Sequence, residues 1–379
     1  MRILIFDPII TGHHLEYIHH LYEAEENKGY DVIICVPETI KNVKDNFEWQ
    51  QKSNIQFMYL DDKYCESLKH LGRLRYARSF SKKLKLVSKS VKPDKILLIS
   101  IIQALPLLPL FFLGRKEKIS GIIYKIYLYS WRKYSFAQKI YESIRFMSVK
   151  CSCNIKNVFV LNDDASARRL RMIWHKNKFV SLPDPFQSKK ETQIFNTLLL
   201  DKNKIKILHF GAMTSRKGTM DIMNAIEILC NEDKVSNFQF AFAGKINKDI
   251  KQEFYYKYNV LKNKCDILVM DRFCSYDELD ELCRECDIIL APYKNVYSSS
   301  GVIGYAAKFH KPVVVPDDGL LGKLVKKYKL GMAIKNLDAI KISQILASNE
   351  VIPINNEMHD NYISKNSVKN FNKVIYENI

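Results

Sequence analysis

Glycine and proline are scarce, 13 and 11 residues in a chain of 379, which excludes a collagen-like or linker-dominated polypeptide. There is no short internal repeat and no low-complexity tract. Disorder is excluded as well, because 47% of the residues are apolar and 12% aromatic. No recognition-helix, zinc-finger or ribonucleoprotein motif accompanies the net charge of +18, so nucleic-acid binding rests on charge alone and no nucleic-acid partner is expected. The opening MRILIFDPII lacks a basic n-region and a small-residue cleavage site, and is expected to be a mature strand. The nine cysteines are odd in number and scattered. Cys35, inside VIICVP, reads as a buried thiol, and a reducing cytosol fits this usage. Length alone predicts more than one domain.

Acidic residues are missing above all from one region. Residues 64–150 hold 19 Lys/Arg and four Asp/Glu, so they carry nearly all of the excess positive charge. Within them Leu68, Leu71, Leu74, Ala77, Phe80, Leu84, Val87 and Val91 recur at helical spacing, with Lys69, Arg73, Lys82, Lys85 and Lys89 on other faces. Such a helix suits an anionic membrane surface, and equally a solvated helix packed on a sheet. A second basic segment, 115–150, is rich in aromatics. The uncharged run from Ile96 to Gly114 reaches the length of a membrane span, but Pro106 and Pro109 interrupt it, and strand, loop and short apolar helix are expected there.

Strands alternate with helical patterns along the whole chain, which predicts an α/β fold with parallel sheets. RILIFDP, DVIICV, IQFMYL, KILLIS, GIIYKIYL and NVFVLN form a first run. After LPDPF and the polar QSKKETQIF a second begins, with IKILHFGA, FQFAFAG, CDILVM, DIILAPY and KPVVVPD. Two Rossmann-like domains facing across a cleft are predicted: 1–185, 186–355, and a helical segment 356–379 packing back toward the first. Ligands of open parallel sheets bind outside the carboxyl ends of the strands, so the loops there are the candidates.

Three such loops stand out in the second domain. HFGAMTSRKGTMDIMNAI places Arg216, Lys217 and Gly218 at a strand-to-helix turn, where helix N–H groups and two cations suit a phosphate. Ser298, Ser299, Ser300 and Gly301 open another helix and suit a diphosphate, or serve as an N-cap. The loop around Phe273 could hold a base. In this order the segments resemble the second domain of GT-B fold glycosyltransferases, especially the large retaining family with many bacterial capsule and lipopolysaccharide enzymes. The resemblance rests on Gly211 followed by Lys217-Gly218, the Ser298–Gly301 loop, Ala306-Ala307, and Pro312-Val313-Val314. It implies a hexosyltransferase with a nucleotide-diphosphate sugar as donor substrate, no metal or other cofactor, and a lipid-linked saccharide acceptor in cell-surface polysaccharide synthesis. The chain departs from the family at Ala212, where an Arg is usual, and at Tyr297 and Tyr305, which stand where paired glutamates are usual. A Tyr cannot serve as a carboxylate at neutral pH.

In the first domain Thr11-Gly12-His13-His14 follows the first strand. His14, or else His13, is a candidate base for an acceptor hydroxyl, and Asp7 could orient either ring or cap the turn. His19 and His20 read as structural, and a metal site among these histidines and Glu16 as improbable. Cys283 and Cys286 lie on one helix face and read as core, as do Cys151 and Cys153. The enzyme is expected at the inner face of the cell membrane, held peripherally. A GT-B-shaped nucleotide-sugar epimerase and a nucleic-acid-binding protein are the alternatives.

Overall fold

The computed structural model describes residues 1–42, 49, 52–186, 201, 203–294, 297–348 and 350–379. The polar stretch QSKKETQIF and most of the join expected near 185–200 lie outside the described residues. The chain forms two compact units, Met1–Pro185 with Asn366–Ile379, and Phe186–Lys365. The division falls after Lys365, so the C-terminal segment expected to begin at 356 is shared between the units.

The first unit is built on seven parallel strands: β1 (Arg2–Phe6), β2 (Asp31–Pro37), β3 (Ile55–Leu60), β4 (Lys95–Leu98), β5 (Lys118–Ile123), β6 (Ile155–Leu161) and β7 (Phe179–Leu182). Their order is β3-β2-β1-β4-β5-β6-β7. Six helices connect them: α1 (His13–Glu23), α2 (Asp62–Lys69), α3 (Arg73–Val91), α4 (Leu108–Phe111), α5 (Phe136–Cys151) and α6 (Asp164–Trp174). Successive strand residues point to opposite faces, and both faces are apolar, as a doubly covered parallel sheet requires. Ile3 and Ile5 join one buried cluster with α1, while Leu4 and Phe6 join another with α3.

This packing decides between the two readings of the basic helix in favour of the one packed on a sheet. Gly72 caps a new helix after Lys69, so α2 and α3 are separate. Ala77, Phe80, Leu84, Val87 and Val91 are buried under the sheet, so the apolar stripe of α3 is core, with only Leu74 and Leu86 strongly exposed. The stripe that faces outward lies on α5, where Phe136, Ile140, Ile144 and Met147 are 80%, 44%, 51% and 46% exposed. The uncharged run 96–114 becomes the rest of β4, a loop and the one-turn α4. Among the described residues no helix is long and apolar enough to cross a membrane.

The second unit has six parallel strands: β8 (Ile205–Phe210), β9 (Phe238–Ala243), β10 (Asp266–Met270), β11 (Ile288–Leu290), β12 (Val313–Pro316) and β13 (Gly331–Ile334). Their order is β10-β9-β8-β11-β12-β13. Its helices are α7 (Thr219–Asn231), α8 (Lys251–Leu261), α9 (Tyr276–Glu285), α10 (Val302–Lys308), α11 (Gly319–Tyr328), α12 (Ala339–Ala347) and α13 (Asn356–Lys365). The chain ends in α14 (Val368–Asn378), whose Phe371, Ile375 and Tyr376 pack with α1 in the first unit. Asn372 and Tyr376 fix it there by donating to the carbonyls of His20 and Leu21. Cys283 and Cys286 are buried core thiols, and burial pushes Cys286 up to about 12. Cys151 and Cys153 are exposed, against expectation, because they close α5 and its following turn at the surface.

Candidate active site

In the second unit the loop after β8 folds tightly onto its neighbours. Gly211 donates its N–H to the Ala243 carbonyl at 2.9 Å. A Cβ on Gly244 would stand 2.1 Å from the Gly211 carbonyl oxygen, so the loops after β8 and β9 touch through bare backbone. Thr214 then caps the turn Ser215–Lys217 by accepting from the Lys217 N–H. Ser215 donates twice to Asp249, at 3.0 and 2.8 Å, and these hydrogen bonds lower the Asp249 pKa. Gly218 turns the chain into α7 at φ 70°, and its Cβ would lie 2.1 Å from the Pro292 carbonyl oxygen.

That contact is one of three joining this loop to the segment after β11. Lys294 donates its backbone N–H to the Arg216 carbonyl at 2.7 Å. Lys217 Nζ sits 3.7 Å from the centre of the Tyr293 ring. The loop before α7 and residues 292–294 after β11 thus form one assembly at the carboxyl edge of adjacent strands β8 and β11. Beneath it His209 is buried, with Nδ1 2.9 Å from the Leu290 carbonyl and Nε2 3.0 Å from the Thr219 hydroxyl. The carbonyl accepts only, so Nδ1 carries the proton and Nε2 accepts from Thr219. Burial, with a further push from the Lys217 charge, lowers its pKa to about 4. This histidine staples β8, β11 and α7 together, and sequence gave no sign of its role.

Arg216 is exposed and Lys217 half-buried, so the lysine is the better fixed cation. Ser298, Ser299 and Ser300 are half-buried and precede α10, whose N-cap is Gly301 without a side-chain cap bond. Tyr297 and Tyr305 are both buried, and Tyr305 packs edge-on against Phe186 and Phe210 at 5.1 and 5.2 Å. At the position of the second missing glutamate stands a core ring. Phe273 follows β10 and is 84% exposed, while Arg272 beside it is forked onto Glu278, which also closes a capping box with Ser275 at the start of α9.

In the first unit Asp7 ends β1 and is almost wholly buried. One oxygen accepts from the Ile9 N–H at 3.0 Å and the other lies 2.5 Å from His14 Nδ1, so the residue both caps the turn and orients the ring. Burial raises the Asp7 pKa, against the opposing pull of His14. His14 stacks on Tyr124, Tyr124 stacks on Tyr17, and the Tyr17 hydroxyl donates to Asp184 at 2.5 Å. Tyr124, Tyr17 and Asp184 escaped sequence reading because only the fold brings β5, α1 and the loop after β7 together.

The other histidines diverge. His13 is mostly exposed and lies 3.5 Å from Glu16, which His20 approaches from the other side at 3.7 Å. Burial alone would raise the Glu16 pKa, but the two histidines outweigh it and hold the carboxyl at about 2. His19 packs edge-on against Trp49.

Comparison with known proteins agrees with this architecture. Residues 190–366 match the family model described as glycosyl transferases group 1. A search of curated proteins returns no match. Among solved structures, Anabaena HepE in complex with UDP-glucose is 14% identical, covering 100% of this chain and 98% of its own, with a TM-score of 0.68. WaaG, a glycosyltransferase involved in lipopolysaccharide biosynthesis, is 13% identical, covering 100% and 98%, at a TM-score of 0.65. Trehalose-6-phosphate synthase OtsA is 10% identical, covering 100% and 99%, at a TM-score of 0.70. Likenesses at such identity speak for the fold.

Proposed function

We propose that this chain, a glycosyltransferase of the GT-B fold whose second unit is a glycosyl transferases group 1 domain, moves a sugar from a nucleotide-diphosphate donor to a lipid-linked saccharide. The observation that carries the proposal is the assembly of Arg216, Lys217, Gly218 and the segment after β11 into one rigid, cationic lip at the carboxyl edge of the second sheet. There the donor diphosphate lies against Lys217, Arg216 and the serines before α10, with Phe273 offering an exposed face to the base. HepE binds UDP-glucose, which makes uridine diphosphate sugars the first donors to try.

In the reaction the bond from the sugar anomeric carbon to the diphosphate breaks, and its electron pair leaves with the diphosphate. The cations and the helix N–H groups hold that charge, without a metal. A bond from the acceptor oxygen to the anomeric carbon forms, and the hydroxyl proton passes to His14 Nε2. Asp7 fixes the ring by accepting from Nδ1–H, which leaves Nε2 as the acceptor. The basic first unit, with its exposed α5 stripe, serves to hold the enzyme on the anionic cytoplasmic leaflet, where a lipid-linked acceptor of surface polysaccharide synthesis resides.

A thermal-shift series with nucleotides and nucleotide sugars tests the proposal. Ligand at 100 times its dissociation constant adds about 2.7 kcal/mol of stability. Absence of a shift with every nucleoside diphosphate and nucleotide sugar would refute it.

A further inference from the structure

At the carboxyl edge of the first sheet there is a cavity of about 350 Å³. Small-ligand pockets span roughly 300–1,000 Å³. Its wall includes Arg73 and Tyr76 from α3, Lys125 from the loop after β5, and Tyr134, Tyr141 and Arg145 from α5 and the turn before it.

Four observations converge on a negatively charged occupant. The cavity wall has three cations and one carboxylate, Glu142, which is already held by Arg145 Nη1 at 2.7 Å. Arg73 and Arg145 approach the same Tyr141 ring, at 5.6 and 5.3 Å from its centre, although like charges repel. Among the described residues the buried Tyr76 hydroxyl and the buried Arg145 Nε have no hydrogen-bond partner, an arrangement that costs stability unless a ligand completes it. Finally, α3 starts at Gly72 with no side-chain cap and no acid in its first turn, where Arg73 and Arg75 stand instead. A helix N-terminus attracts anions and disfavours cations, so this start is matched to an anion lying before it.

We infer that the cavity binds the phosphate of a phosphorylated saccharide, with Arg73, Lys125 and Arg145 on the phosphate and the tyrosines against the sugar. A phosphate fits better than a carboxylate, since it offers more oxygens and up to two charges to three cations and a hydroxyl. Lys125 directly follows Tyr124, whose ring stacks on His14. The inference rests on the glycosyltransferase reading and names its acceptor class. Two sources share the chemistry, a soluble sugar phosphate and the diphosphate of a polyprenyl-linked saccharide.

The test uses the full chain with its donor site filled by excess UDP. Inorganic pyrophosphate, glucose-1-phosphate and a polyprenyl-diphosphate glucose in detergent are titrated by calorimetry. The double variant Arg73→Ala/Lys125→Ala, both side chains exposed, is compared with Lys217→Ala, and circular dichroism checks each fold. The expected result is saturable binding of pyrophosphate that weakens at least tenfold in the double variant and is unchanged in Lys217→Ala. The probe whose affinity also falls tenfold there identifies the source. No binding by any probe to a chain that binds UDP, or binding lost only in Lys217→Ala, overturns the inference and leaves the donor site standing. If UDP fails to bind while pyrophosphate binds through Arg73, the donor reading falls and the anion site remains.

Discussion

His14 Nδ1 stands 2.5 Å from a carboxylate oxygen of Asp7, while the adjacent His13 ring turns away to Glu16 and solvent. Adjacent residues on a helix are about 100° apart, so only one of them can face the end of β1. The sequence left both rings open, and the geometry of α1 brings His14, not His13, to Asp7.

Activity should follow that selection. His14→Ala is expected to lower kcat about 10²–10⁴-fold, the usual contribution of a positioned base. Donor affinity, which belongs to the other unit, should stay put. Asp7→Asn keeps the shape but presents a donor to Nδ1, turning Nε2 into the protonated nitrogen, so kcat should again fall. His13→Ala should be nearly silent. Steady-state kinetics with donor binding measured in parallel decides the matter; equal losses in His13→Ala and His14→Ala would remove the assignment.

At the donor site the expected loss is in affinity. Lys217 is half-buried against Tyr293, so its ammonium is held in place rather than free to wander. One charge-assisted hydrogen bond is worth about 1.5–3 kcal/mol, so Lys217→Ala should weaken nucleoside-diphosphate binding about ten- to a hundredfold. Arg216→Ala should cost less, because that side chain is exposed. Gly218→Ala probes the lip itself. Its positive φ and the Pro292 oxygen in the way should cost about 1–3 kcal/mol of stability and reduce donor affinity. Calorimetry and urea melts read both effects, and wild-type values in Gly218→Ala would mean the loop is looser than it is drawn.

How much of this was legible beforehand differs by level. Alternation of apolar runs with helical patterns exposed the two parallel-sheet units, because doubly covered strands such as VIICV and FQFAFA carry a hydrophobic signature of their own. The short β7 and β13 carried no such signature and went unread. The loops around Lys217 and Ser298 could be placed at strand ends because glycine and serine there break the apolar pattern. Burial was not legible: the apolar stripes of α3 and α5 look alike in sequence, yet one packs on the sheet and the other faces outward. Nor were the partners of His209, since Leu290 lies 81 residues away and meets it only across β8 and β11.

His209 also predicts a pH dependence. Its folded pKa is about 4, against an ordinary value of 6.5. Between those values the unfolded chain binds a proton that the folded chain does not, so stability rises with pH through this window and is lost as pH falls from 6.5 toward 4. Urea midpoints across the window should show that limb, and His209→Gln should flatten it even though the variant is less stable throughout. An unchanged slope in His209→Gln would assign the limb to other groups.

Membrane docking is the last prediction, and it starts from where α5 puts its side chains. Phe136, Ile140, Ile144 and Met147 repeat at spacings of four, four and three residues, one outward face of a helix, and all are exposed in the unit that carries most of the excess positive charge. Exposed apolar side chains gain about 25 cal/mol for each Å² moved out of water, and cations near an anionic leaflet add about 1 kcal/mol each. The two contributions separate experimentally, because salt screens the second and not the first. The protein is expected to sediment with anionic vesicles and not with neutral ones, less so as salt rises. Lys82→Glu/Lys83→Glu/Lys85→Glu should weaken binding chiefly at low salt. Phe136→Ser/Ile140→Ser/Ile144→Ser should weaken it at every salt concentration while leaving nucleotide binding intact, since none of these residues supports the core. Should the serine variant sediment as the parent does, α5 is not the docking face, and the lipid-linked acceptor would have to be reached by another surface.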